Sequence, residues 1–269
     1  MPTFIAITAK KGGVAKTTSA VSLAHHLARQ KATTLLIDFD PQGHAATALG
    51  LDPMPGIFDL FIVEKPLANC LQSTTRIIEQ EDAEPVTLER PGLTLLPGNQ
   101  RTTLASSTLY MQLSSGELTR PQLLKMLHTI SQGFDYVVMD TPATGVFQEL
   151  ALEVADSIVI PTELEQLSMT GVASTMATIA KLNPSARVIV LPTMYDMRIG
   201  EHRYNLNLLQ EAYPSAISEP VMNSSVVKEA TAAGQTVWEY TSKNKSATLG
   251  RVRFAYSRLA EWVRQSPPF

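Results

Sequence analysis

One cysteine, Cys70, occurs in 269 residues. A lone thiol excludes an internal disulfide, and it excludes the thiolate sets that iron–sulfur clusters and structural zinc require. A reducing, cytoplasmic setting fits such a chain. A long apolar run is missing too. Residues 1–9, MPTFIAITA, are followed at once by Lys10, Lys11 and a glycine pair, so this stretch reads as a buried first strand, neither a signal peptide nor a membrane span. Positive charge is not in excess: the formal net charge is −3, which rules out a coat of basic residues and confines any nucleic-acid contact to a local patch. No segment repeats, and none collapses to a few residue types, so disorder is expected only at the ends.

What is present suits one α/β domain. Hydrophobic residues make up 44% and charged residues 17%, enough for a single large core. Apolar runs at Thr3–Thr8, Thr34–Asp38, Tyr136–Asp140, Ser157–Pro161 and Arg187–Pro192 read as strands. Helical spacing predicts helices over Thr17–Arg29, Pro121–Gln132, Leu164–Lys181, Arg203–Ala212, Val226–Ala233 and Thr248–Arg264. This alternation predicts a mostly parallel twisted sheet flanked by helices on both faces. Between about Asp52 and Arg120 the rhythm blurs into Pro/Gly punctuation and an acidic stretch of Glu79, Glu81, Asp82, Glu84 and Glu89, which reads as a less regular, solvated or inserted segment.

Residues Lys10–Thr18, KKGGVAKTT, lie between the first strand and the first helix, the strand–loop–helix context of a phosphate-binding loop. Backbone N–H groups of Gly12, Gly13, Val14 and Ala15 are positioned to converge on phosphate oxygens beside the helix N-terminus. Lys16 can reach the β- and γ-phosphates of ATP, Thr17 can ligate Mg²⁺, and Thr18 adds a contact further along. The usual GxxxxGK[ST] spacing nonetheless fails at Lys10 and Ala15, and a Gly-Gly turn beside lysines is by itself only a surface loop.

Two strand ends supply carboxylates. Thr34–Asp38 runs into DFDPQG, residues 38–43, and FDYVVMDTPA, residues 134–143, ends its apolar run at Asp140. Ligands of open α/β sheets bind at this edge, and an aspartate there can hold Mg²⁺ through water. Asp38 and Asp40 could instead merely cap backbone N–H groups in a turn ahead of Pro41, and an apolar strand ending in aspartate, as at Asp140, is common in α/β proteins. The three elements in this order are far less common by chance than any one of them.

Together these motifs resemble the ParA/MinD superfamily of deviant Walker ATPases. KGGVAKT fits KGGxxK[ST]; LLIDFDPQGHAATALG is similar to LLxDxDPQGNATxxLG; FDYVVMDTPA is similar to YDxxxxDxPP with Ala143 in place of the second proline. Ile160–Val172 and TMYDMR at 193–198 follow IPxxxExxxxxGxx and TMxDxR. The likeness covers roughly residues 3–264 and is weakest over 52–120. It implies that Lys11 acts in trans on a partner's nucleotide in an ATP-bound homodimer, that Asp40 activates the attacking water, and that Asp38 and Asp140 support the magnesium. It implies adenine walls at Met194 and the Pro220–Met222 turn. Ala15 stands where most relatives have glycine, a position that can need φ > 0.

The resemblance further implies a slow ATPase that binds nucleoid DNA without reading sequence and positions a cargo with a ParB-like adaptor stimulating hydrolysis. Arg198 holds the arginine position of TMxDxR. The relatives' PRNVRLSEA segment has lost both arginines here, leaving Lys228 or the later Lys243, Lys245, Arg251 and Arg253 to contact DNA. The last predicted helix has three readings: packing on the sheet, DNA backbone contact, or membrane association as in MinD-like relatives. Packing leads, and a membrane-cycling positioner is the runner-up. A reductase iron protein needs bridging cysteines, and a biotin-pathway ligase shares only the loop. With the first strand starting at about residue 3, no winged-helix reader of operators is expected.

Overall fold

In the computed structural model, which describes residues 1–80, 83–241 and 247–265, every short apolar run named above becomes a strand. The chain order is β1 (Thr3–Ile7), α1 (Lys16–Arg29), β2 (Thr34–Asp38), α2 (His44–Leu49), α3 (Ile57–Phe61), α4 (Leu67–Cys70), β3 (Gln72–Ser73), β4 (Arg76–Gln80), β5 (Ala83–Leu88) and β6 (Leu93–Leu96). It continues with α5 (Arg101–Ser115), α6 (Arg120–Ile130), β7 (Tyr136–Asp140), α7 (Val146–Val154), β8 (Ser157–Glu163), α8 (Gln166–Leu182), β9 (Arg187–Thr193), α9 (Gly200–Ala212), α10 (Ser225–Ala232) and α11 (Ala247–Arg264).

Seven strands form one sheet in the order β3-β6-β2-β7-β1-β8-β9, parallel except for the edge strand β3. A parallel sheet carries helices on both faces, so its strands must be apolar on both sides. Alternate side chains divide accordingly. Phe4, Ala6, Leu35, Ile37, Val137 and Met139 face the layer that holds α5, α6 and α7. Ile5, Ile7, Leu36 and Val138 face the layer built from α1, α2 and α11. The chain is thus one α/β domain with two apolar layers.

The stretch from 52 to 120 is not an insertion outside this frame. Strands β3 and β6 extend the main sheet, with Leu35 and Leu36 paired to Thr94 and Leu95. Helix α5 buries Thr102, Ala105 and Leu109 on the sheet. The β4–β5 hairpin forms a separate two-stranded ribbon. Of the acidic stretch, Glu81 and Asp82 lie outside the described residues. The segment escapes a periodicity reading because β6 offers only LTLL and α5 is built mainly of Thr, Ser and other short side chains.

Helix α11 realises the packing reading. Its Leu249, Val252, Tyr256, Leu259 and Val263 are buried, and it lies against α1. Alanine and serine on α1 (Ser19, Ala20, Ala24, Ala28) let the two helices and the sheet approach closely.

An ionic staple ties the far ends together. Arg90, with a fully buried side chain, uses all five N–H donors: to both carboxylate oxygens of Glu239 at 2.7 and 3.0 Å, and to the carbonyls of Leu49, Thr74 and Gly234 at 2.8, 3.0 and 2.9 Å. Glu239 also accepts from Thr236 N at 2.8 Å, and the Thr236 hydroxyl pairs with His25 Nδ1 at 2.7 Å.

Burial pushes the His25 imidazole down to about 4 from 6.5. The folded state therefore refuses a proton that the unfolded chain accepts. His25 consequently makes no pH-dependent contribution above pH 6.5 and destabilises the fold progressively as pH falls from 6.5 toward 4. Asp38 and Asp140, whose carboxyls are raised by burial, titrate with the opposite sign. The comparison is therefore with a His25→Gln variant in which they cancel. In urea titrations between pH 7 and pH 4, wild type is expected to lose about 3 kcal/mol more than the variant. Parallel curves would contradict the assignment.

Candidate functional site

The carboxyl ends of β1, β2 and β7 converge on one depression. Val138 and Asp140 of β7 pair with Leu36 and Asp38 of β2, and Ile7 of β1 pairs with Asp140. That register sets two carboxylates side by side, both with no solvent exposure. Burial first, and then the neighbouring Asp140 charge, raises the Asp38 carboxyl well above its ordinary range; Asp140 is raised for the same first reason. Asp38 accepts from Asp40 N and Ala45 N, both at 3.0 Å. The turn reading of this aspartate is therefore right as far as it goes. The Thr17 hydroxyl donates to Asp140 Oδ2 at 2.5 Å, while Asp140 Oδ1 is buried with no partner. An orphaned carboxylate oxygen beside a threonine hydroxyl is a donor set for a hard divalent cation, directly or through water.

The loop between β1 and α1 faces this pair. Gly13 has φ +79, a backbone that a side chain opposes, and a Cβ on Gly12 or Gly13 would meet nothing within 4 Å. The loop is open on its concave side. Lys16 is nearly buried; its ammonium lies 3.4 Å from the Lys11 carbonyl, and its charge acts on the Asp140 carboxyl. A cavity of about 500 Å³ is lined here by Gly12, Gly13, Lys16, Thr17, Asp40 and His44, among others. The Lys16 ammonium, loop amides, the hydroxyls of Thr17 and Thr18 and the Asp40 carboxylate around a space of that size fit a magnesium-bound polyphosphate.

A second cavity of about 400 Å³ adjoins it. Ala15 and Thr18 are on its near side; Met194, Val221, Met222 and Val227 form apolar walls. Its dimensions and lining suit a flat base. Met194 holds φ 53, a left-handed backbone unusual for a methionine. Pro220, expected in the wall, does not line the cavity; its neighbour Val221 does. Tyr256 of α11 closes the floor, its hydroxyl 3.3 Å from Ser19 Oγ.

A family model described as an AAA domain matches residues 2–189. The chromosome-partitioning ATPase Soj of Thermus thermophilus is 30% identical over 96% of this chain and 94% of its own length. Of solved structures, an ATP complex of a McdA variant from Cyanothece superposes with TM-score 0.77 at 21% identity, covering 99% of both chains. A cobyrinic acid a,c-diamide synthase from Mycobacterium smegmatis with ADP and magnesium superposes at 0.71 with 25% identity, over 97% of this chain and 93% of its own. The chain belongs to the ParA/MinD superfamily of ATPases.

Several residues that a ParA/MinD reading singles out behave differently from one another. Lys11 does not enter its own phosphate cavity: its ammonium lies 2.5 Å from Glu163 and 2.9 Å from Glu165 of the same chain. Asp40 stands at the cavity rim, where one carboxylate oxygen accepts from Gln42 N at 3.0 Å. Lys228 lines the base cavity, away from any separate basic face. Arg198 is highly exposed but ion-paired to Asp196 at 2.6 Å, which holds the Asp196 carboxyl below its ordinary range. Arg251 is exposed and touches Met197 Sδ at 3.6 Å. Arg253 spends its guanidinium on the carbonyls of Val237, Trp238 and Tyr240, which argues for a structural role. Lys243 and Lys245 lie outside the described residues.

Sequence reasoning missed His44, Glu163 and Glu165. His44 occupies the asparagine position of DPQGN and its side chain borders the phosphate cavity; the motif alignment signalled that departure. No local signal marks Glu163 as a partner of a lysine 152 residues away.

Ala15 is one of the positions at which the family pattern and this chain part company. It adopts φ 65, ψ 33 immediately before α1, and its carbonyl accepts from Ser19 N at 2.9 Å. An L-residue with a Cβ is strained in that region by about 1 kcal/mol. Ala15→Gly is expected to raise the unfolding free energy by about 1 kcal/mol in urea denaturation. Unchanged or lower stability would show that the loop backbone is not under this strain.

Proposed function

We propose that this chain is a nucleotide-switched positioning ATPase: ATP binding closes a two-subunit sandwich, the dimer holds DNA through backbone phosphates, and an adaptor on the cargo stimulates hydrolysis and release. Two relatives named for chromosome partitioning support the general role. The observation that carries the finer reading is the placement of Lys11. It sits on the loop that faces the phosphates, yet its ammonium is turned out to the β8 edge and is part-exposed, where a second subunit's nucleotide can meet it. A cation delivered that way couples nucleotide binding to association and offsets charge on the phosphoryl oxygens, as an arginine finger does.

In this reading Lys16 and the loop amides hold ATP, and Thr17, with Asp38 and Asp140 behind it, holds magnesium, which offsets phosphate charge. Asp40, at the rim, orients water for attack. Met194 and Met222 sandwich the base. Of the basic residues singled out from the sequence and described in the structure, Arg198 and Arg251 remain the candidates for DNA phosphates, since Arg253 is engaged and Lys228 faces the base. The buried apolar side of α11 packs on α1, which supports the packing reading over the membrane-cycling alternative. No described helix is long and apolar enough to cross a membrane.

Retention on non-specific duplex DNA is expected with ATP and to fall sharply with ADP or without nucleotide. It should also weaken steeply as salt rises, because phosphate contacts release counterions. Asp40→Ala should prolong the DNA-bound state and Lys16→Ala abolish nucleotide binding. Equal retention under all three nucleotide conditions, or normal turnover in the Asp40 variant, would defeat the proposal.

A further inference from the structure

The loop's outer lysines are held by the sheet edge beside it. Lys11 Nζ donates to Glu163 Oε2, at the end of β8, and to Glu165 Oε2, at the start of α8, at 2.5 and 2.9 Å. Lys10 Nζ donates to Ser174 Oγ of α8 at 2.7 Å. Two of the three ammonium protons of Lys11 are thereby committed to carboxylates. The side chains are part-exposed, at 39% for Lys11, 20% for Glu163 and 57% for Glu165, so water can reach the site and the contact can open without unfolding anything.

We propose that Glu163 and Glu165 form an intrachain clamp that holds Lys11 away from any nucleotide in the free subunit and so sets the ATP concentration needed to form the dimer. The inference rests on the reading that Lys11 serves a partner's nucleotide. A polyphosphate and a carboxylate pair compete for one ammonium. Whichever loses is left with its negative charge uncompensated, so exchange from acids to phosphates has a cost that nucleotide binding must exceed. Mutual charge stabilisation points the same way: the two hydrogen bonds that Lys11 donates to Glu163 and Glu165 raise its ammonium above its ordinary value, and Lys11 lowers the Glu165 carboxyl.

The pairing differs from an ordinary surface ion pair in its geometry. Both acids come from the single β8–α8 junction, only two residues apart, and they converge on one cation. Removing one acid leaves the other in place, so the restraint weakens in two steps. His202, near Glu165, and solvent are what the freed acids would face. The carbonyl of Lys11 also receives the Lys16 ammonium at 3.4 Å, so release of the outer lysine and capture of phosphate by the inner one act on the same few atoms of backbone.

The test uses the full chain and a non-hydrolysable ATP analogue with magnesium, following dimer fraction by sedimentation velocity as analogue concentration rises. Glu163→Gln is expected to lower the concentration for half-maximal dimer by about threefold, and Glu163→Gln with Glu165→Gln by about tenfold. Both gains should shrink in high salt. Lys11→Ala is measured in parallel, as is Glu163→Gln in that background, which should add nothing. An unchanged or raised midpoint in the glutamine variants, while Lys11→Ala remains monomeric, overturns the clamp and leaves the role of Lys11 in trans intact. Wild-type dimerisation by Lys11→Ala overturns both. Circular dichroism melts of each variant separate a changed threshold from a damaged fold, and the Glu163→Gln single variant, which leaves the start of α8 untouched, carries the decision if the double variant melts early.

Discussion

Two carboxylates on neighbouring strands, in register and without solvent, are the constraint around which this sheet edge is organised. Asp38 and Asp140 end β2 and β7 at the same level. Each is raised by burial, and Asp38 further by the charge of Asp140. Hydrogen bonds from Asp40 N, Ala45 N and Thr17 offset part of that cost, but one oxygen of Asp140 is left without a partner. A protein retains such an arrangement only where a cation completes it or where it performs chemistry. The strand ends, the loop glycines, the first turn of α1 and the nearly buried ammonium of Lys16 all address that one deficit. The rest of the fold keeps them in position.

Helix α1 carries the consequence outward. Its N-terminus supplies Lys16, Thr17 and Thr18, its small residues let α11 and the sheet close on it, and its buried Ser19 meets Tyr256 beneath the base cavity. The Arg90–Glu239 staple then fixes the 234–239 segment just beyond α10, whose Val227 and Lys228 line that cavity. A buried ion pair is weak support for stability in its own right. Here it joins α2, the β3–β4 connection, the approach to β6 and the approach to α11 through one guanidinium with every donor satisfied. The fixed point therefore lies behind the base wall, and the part-exposed charges lie in front of it at the β8 edge.

Much of this is legible in the amino-acid sequence alone. Thr34–Asp38 and Tyr136–Asp140 emerge with the bounds their apolar runs imply, since strands buried on both faces read as uninterrupted apolar segments. The loop at 10–18 and the two strand-end aspartates follow from motif and order. What is not legible has physical reasons. β6 is four residues long, and α7 spans nine residues, too few to show its period clearly. α5 carries no charge after its first residue, so nothing charged marks its exposed side. Among basic residues, sequence counts cations but cannot tell which are spent. Arg253 and Arg90 look like surface charge until their carbonyl partners are seen, and the Lys11–Glu163 contact spans a separation that no local pattern reports.

Ala15 shows how the loop balances the two cavities. Its methyl lines both the phosphate and the base spaces, and its left-handed backbone turns the chain so that the next residue, Lys16, begins α1 with its ammonium inward. The strain of about 1 kcal/mol is held by contacts on either side: Thr193 donates to the Val14 carbonyl at 3.2 Å, and Ser19 N to that of Ala15 at 2.9 Å. Glycine would allow the same turn without strain but also several others. An alanine fixed by its neighbours gives up a little stability for a loop already shaped before the nucleotide arrives, so less ordering remains to be done on binding. If the chain assembles as proposed, the barrier to assembly then moves away from the loop backbone to the one charged side chain that the proposed clamp holds, Lys11.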